Sequence, residues 1–105
     1  MGKNEMINRD RLLQRFLRYV KIATTSDPAA DCYPSSSGQW ELGKVLVDEL
    51  VQMGLPDSCQ DEHGLVWATL PANVTSETPT IAWNAHLDTS PETSGEGVKP
   101  QVVEN

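Results

Sequence analysis

Residues Thr80 to Pro91, TIAWNAHLDTSP, restrict the fold more than any other stretch of the chain. The segment opens as a short apolar run bounded by Pro79, with the length and composition of a buried strand. It ends in a loop rich in Pro, Gly and Ser. Side chains alternate along a strand, so Asn84, His86 and Asp88 are expected on one face and Ile81, Trp83 and Ala85 on the other. That spacing brings an imidazole and a carboxylate together at the mouth of a strand, where open α/β sheets hold their ligands. Taken alone, His-x-Asp fits two readings. In one, His86 binds a metal through one ring nitrogen while Asp88 accepts the N–H of the other, which fixes the tautomer and strengthens the ligand. In the other, His86 caps a strand end and carries no chemistry.

Two helices are predicted ahead of this strand. The first begins at Asn8, with Leu12, Leu13, Phe16, Leu17 and Val20 at helical spacing. Asn8 can cap it, Asp10 sits favourably in its first turn, and Ile7 is placed to staple onto Leu12. Arg11, Arg15 and Arg18 form an opposite stripe, read as a solvated face in preference to a docking patch for an acidic partner. Met1 to Ile7 reads as a frayed start, and Ala23 to Pro34 as a polar loop without period. The second helix opens at Ser36, with Gln39 three residues on in a capping-box pattern. Its wide apolar surface (Trp40, Leu42, Val45, Leu46, Val47, Leu50, Val51) calls for a sheet to pack against. Gly54, Leu55 and Pro56 end it.

Two further strands are predicted. Ser58 to Asp61 is short and polar, an edge strand; Leu65 to Leu70 is apolar on both faces and hence interior. Glu62-His63-Gly64 reads as the turn between them, which makes His63 exposed and an unpromising ligand. Ala72 to Thr78 is a surface connection, and Thr89 to Pro100 a long loop of the kind that lines sites. The expected core holds Leu12, Phe16, Leu46, Leu50, Val66, Leu70, Ile81 and Trp83. Val102 to Asn105 reads as an extended segment broken off midway.

A net charge of -7 over 105 residues argues against nucleic acid and anionic membrane surfaces as partners. No apolar run approaches transmembrane length, and no leader is visible. The two cysteines, Cys32 and Cys59, lack metal spacing and read as free thiols in a reducing compartment. Asn73-Val74-Thr75 fits a glycosylation sequon that such a compartment would leave idle. A hydrolytic zinc site uses three or four protein ligands. His86 and Asp88 supply one ligand and its orienter, so the chain reads as the first part of a larger enzyme.

Three segments carry a more specific signal: Ser36-Ser37-Gly38-Gln39-Trp40, Ala68-Thr69-Leu70-Pro71-Ala72-Asn73-Val74 and His86-Leu87-Asp88-Thr89-Ser90-Pro91. With Ser94-Gly95, Val98, Pro100 and Val103-Glu104-Asn105 following in order, they resemble the amino-terminal part of the tripeptide aminopeptidases in the di-zinc M20 family of metallopeptidases. The resemblance runs from Leu12 onward. It implies an α/β three-layer sandwich, a mixed β-sheet flanked by helices, of which residues 1–105 are the N-terminal portion of the catalytic domain. The rest of that domain and a dimerisation or lid domain fall outside this sequence. The resemblance further implies two zinc ions in the intact enzyme, with His86 as a metal ligand and Asp88 as the catalytic acidic residue beside it. The implied partner is a small peptide substrate and the implied location is cytoplasmic, with the oligomeric state left open. The fragment alone is expected to bind zinc weakly and to be inactive. Two alternatives stay in play: another M20-type hydrolase, such as a deacylase or carboxypeptidase, and a non-catalytic stand-alone α/β domain.

Overall fold

In the computed structural model, which describes residues 7–104, the first helix forms as the spacing predicts. Helix α1 spans Arg9–Tyr19, and the Asn8 side chain caps it by accepting the Arg11 N–H at 2.9 Å. Its apolar face stays bare. Leu12 and Phe16 are each 59% exposed, and Ile7, placed to staple onto Leu12, is also largely exposed. The helix is held from its polar side instead. Arg15 Nε lies 3.4 Å from Glu49 of the second helix, Arg18 pairs with the same carboxylate, and the Tyr19 hydroxyl donates to it. Two of the three arginines expected on a solvated stripe therefore form the α1 anchor.

Helix α2 spans Ser37–Gln52 with Ser36 at its N-cap. The capping box does not form: Ser36 makes no side-chain cap bond, and Gln39 spends its amide on the preceding loop. At the other end Gly54, at φ +94°, lets the Leu55 N–H reach the Leu50 carbonyl at 3.1 Å and its own N–H reach Val51 at 3.0 Å. This is the Schellman stop that the Gly-Leu-Pro sequence predicts.

Strands β1 (Cys59–Gln60) and β2 (Val66–Trp67) pair antiparallel, Cys59 opposite Trp67 and Gln60 opposite Val66, and both pack against α2. Their turn is built on Asp61. One carboxylate oxygen accepts the His63 and Leu65 N–H groups at 2.9 Å each, and the other accepts the Trp67 indole N–H at 2.9 Å. Gly64 takes φ +78°, as the expected turn requires.

Among the described residues the fold is thus mixed α/β: two helices and a two-stranded antiparallel sheet. The two longer predicted strands are shortened or unpaired. Of Leu65 to Leu70 only Val66–Trp67 enters a ladder, and Thr80 to Asp88 pairs with no strand among the described residues. Leu70, Ile81 and Trp83, expected in the core, are 84%, 75% and 93% exposed. The physical reason is that a strand apolar on both faces is buried only between layers that cover each face, and no described residues cover these. Among the described residues, Leu42 is the one buried hydrophobe, and it is joined by the polar Thr24 and Gln39. Among the described residues no helix is long and apolar enough to cross a membrane.

Candidate functional site

His86 and Asp88 meet as their i, i+2 spacing requires. The imidazole Nδ1 lies 2.7 Å from the Asp88 carbonyl oxygen and 3.0 Å from its carboxylate Oδ1. Both neighbours are acceptors, so Nδ1 carries the proton and donates. That leaves Nε2 with a bare lone pair directed away from the pair, the form in which imidazole ligates a metal. The His86 ring is largely exposed and Asp88 partly covered.

The backbone here is held by a segment remote in sequence. Thr25 and Thr89 form a parallel bridge: the Thr89 N–H donates to the Thr24 carbonyl at 3.2 Å, and the Ser26 N–H donates to the Thr89 carbonyl at 3.0 Å. The Ser26 hydroxyl adds a bond to that same carbonyl at 3.2 Å, and the Gly95 N–H donates to Thr25 Oγ1 at 2.8 Å. Thr24 is 4% exposed. Helix α2 backs the loop in turn, for Gln39 Nε2 donates to the Thr24 carbonyl at 3.4 Å and to Ser35 Oγ at 3.1 Å. A Cβ on Gly38 would sit 1.5 Å from the Ala23 carbonyl oxygen, so only glycine admits this approach.

An open groove of about 430 Å³ runs beside the pair, lined by Tyr33, Pro34, His63, Trp67, Trp83 and His86 among others. His63 thus shares a groove with His86, which sequence separation concealed; its own neighbour is Glu62, 3.5 Å away. The loop contacts of Thr24, Thr25 and Gln39 were equally hidden. Gln39 carried a signal, but one that pointed to a helix cap.

Charges elsewhere are tuned by local bonds. The Trp67 indole and neighbouring amides hold the Asp61 carboxyl below its usual range, and the Thr69 side chain and N–H do the same for Asp57. Between the helices, burial and then the Glu49 carboxylate push the Tyr19 hydroxyl up to about 12. Burial alone would raise Glu49, but hydrogen bonds from Tyr19 and Arg18 with the charges of Arg18 and Arg15 outweigh it and lower its pKa.

As a metal site the donor set fits one corner. His86 offers a correctly protonated ring with its orienting carboxylate, while no group of three or more His, Cys, Asp or Glu able to hold an ion occurs among the described residues. Cys32 and Cys59 are free and exposed.

No family model matches the chain. Curated proteins do. Peptidase T of Geobacillus sp. (strain WCH70) is 48% identical over 97 residues, 92% of this chain and 24% of that protein. Peptidase T of Geobacillus thermodenitrificans (strain NG80-2) is 49% identical over 96 residues, and that of Bacillus subtilis (strain 168) 44% over 97. Over nearly its whole length the chain is thus similar to proteins that carry a peptidase name. More narrowly, it is a homologue of peptidase T that spans about a quarter of the length of the curated relatives it matches.

Proposed function

We propose that this chain is the part of a zinc-dependent tripeptide aminopeptidase of the M20 type that supplies the metal ligand His86 and its carboxylate partner Asp88. One observation carries the proposal: Nδ1 of His86 is committed to two acceptors of Asp88, which leaves Nε2 free of them on a ring that lines an open groove. The 44–50% identity to proteins named peptidase T supports the same reading.

The chain's own contribution to the chemistry is orientation and proton placement. Asp88 keeps the proton on Nδ1, raises the basicity of Nε2, and prevents the ring from turning. The groove beside it, with Tyr33, Trp67 and Trp83 on its walls, offers apolar surface to a peptide side chain. A zinc ion held through His86 Nε2 would supply a water of lowered pKa and a Lewis acid for the scissile carbonyl. In the complete enzyme the remaining ligands for this ion, and those for a second one, would come from residues beyond these, within a three-layer α/β sandwich. The proposed setting is the cytoplasm, and the proposed substrate a small peptide with a free amino terminus.

The test is metal content and turnover measured side by side on the full-length protein that carries this segment. Tripeptides with a free amine are expected to be cleaved, and N-acetylated ones to be refused. His86→Ala should lose zinc and nearly all activity together. Asp88→Asn, whose amide can present its NH₂ group to the ring, should lose on the order of 10–100-fold in affinity or turnover. Hydrolysis confined to N-acyl amino acids would instead identify a deacylase, and a silent Asp88→Asn would show that Asp88 orients nothing.

A further inference from the structure

The His86–Asp88 contact depends on which way one peptide unit faces. The carbonyl that accepts from Nδ1 belongs to Asp88, and the N–H of that same planar unit belongs to Thr89. In a trans peptide the two groups point in opposite directions, so holding one aims the other. The Thr89 N–H is held by the Thr24 carbonyl at 3.2 Å. That carbonyl has two lone pairs, and its second donor is Gln39 Nε2 of α2, at 3.4 Å.

We propose that Gln39 is a positioning residue for the imidazole, acting through a relay that runs from Gln39 Nε2 to the Thr24 carbonyl, through the Asp88–Thr89 peptide, to His86 Nδ1. Three features single out this path. Thr24 and Gln39 are the buried polar residues among those described, so their bonds are shielded from water. Gly38 lets the loop approach the helix closely enough for the amide to reach it. The Thr89 carbonyl is held from the far side by both Ser26 groups, so the strand beyond the peptide cannot swing to compensate. Gln39 hydrogen-bonds to neither His86 nor Asp88 in this arrangement. Its effect is to decide which ring nitrogen keeps the proton. The purpose of the relay rests on the metallopeptidase reading, whereas its geometry does not.

The experiment reads the ring ¹⁵N shifts of His86 in the 105-residue chain, without metal or peptide, at a pH where the imidazole is neutral. The parent is expected to populate mainly the Nδ1–H tautomer. Gln39→Leu fills the same space without a donor and should lower the ratio of Nδ1–H to Nε2–H about threefold, toward the low end of what one lost hydrogen bond is worth. Thr89→Pro removes the next link, its N–H, and should lower the ratio at least as much without touching α2. Ser35→Ala removes the other acceptor of Gln39, together with the acceptor of the Asp27 N–H, and should leave the ratio unchanged. Helical circular dichroism reports whether α2 is intact, and if Gln39→Leu fails to fold, Thr89→Pro decides the question. An unchanged ratio in folded Gln39→Leu and Thr89→Pro overturns the relay, as does a ratio that falls equally in Ser35→Ala. Failure of the peptidase reading shows itself separately, as an enzyme that cleaves no tripeptide while the tautomer ratio still responds to these variants.

Discussion

Around Thr24, three stretches distant in sequence converge, and backbone groups of Thr24, Ser26 and Thr89 find partners there. Around Trp83, a stretch at least as apolar has none. The first region is assembled by polar contacts: the bridge to Thr89, the Gln39 amide and the Gly38 approach. The second, from Leu70 to Asp88, makes no backbone–backbone hydrogen bond among the described residues, and its large side chains stand in solvent. The difference teaches that local polar chemistry can close a loop by itself, whereas a two-faced apolar strand needs covering layers before its hydrophobicity counts for anything.

The contrast can be broken most forcefully at Gly38. Gly38→Ala must push the Ala23 carbonyl off helix α2, at an expected cost of about 3 kcal/mol, the upper end of ordinary overpacking. Urea denaturation measures it, and a loss under half that size would show the loop yielding freely. Leu42→Ala removes the buried hydrophobe of α2 and should cost ~2 kcal/mol, at the low end for a core leucine because the site can collapse toward solvent.

Glu49→Gln addresses the helix pairing and is expected to cost ~1 kcal/mol, since the arginines it leaves behind keep their water. Its pH signature is more telling. The Glu49 pKa is lowered in the fold, so its contribution is present above the unfolded value of 4.5 and is lost as pH falls below it. Tyr19 is raised from 10.0 to about 12, so its contribution is full below 10.0 and fades between 10.0 and about 12. Urea midpoints followed against pH should show both limbs, the acid one smaller in Glu49→Gln, where Asp57 and Asp61 still contribute to it, and the alkaline one missing in Tyr19→Phe. The smallest effect belongs to the bare region: Trp83→Ser should change stability by ~0.5 kcal/mol or less. A loss above 2 kcal/mol would show Trp83 buried in solution and erase the contrast between the two regions.

What could be read in advance follows the range of the interaction. Asn8, Gly54 and Gly64 act on backbone within a few residues, so the start of α1, the end of α2 and the β1–β2 turn were all legible. The His86–Asp88 contact was legible for the same reason. Burial was not. Apolar spacing on α1 marks a face that wants a partner, but it cannot say whether that partner is at hand, and here Arg15, Arg18 and Tyr19 seat the helix. Gln39 misled because a short amide near a helix start can serve the cap or a loop equally well. The choice fell to Thr24, a residue with no periodic or motif signal of its own.

The bare stretch from Thr78 to Leu87 has a consequence for the molecule in bulk. It contains no Asp, Glu, Lys or Arg, and its backbone donors and acceptors are unclaimed among the described residues. Such a ribbon is a template on which a second copy can add a strand. What holds copies apart is the charge of -7 carried by the rest of the chain, a long-range repulsion that salt screens within about 10 Å at 0.1 M. Solubility should therefore fall as ionic strength rises, the reverse of ordinary salting-in, with light scattering growing first at high protein concentration.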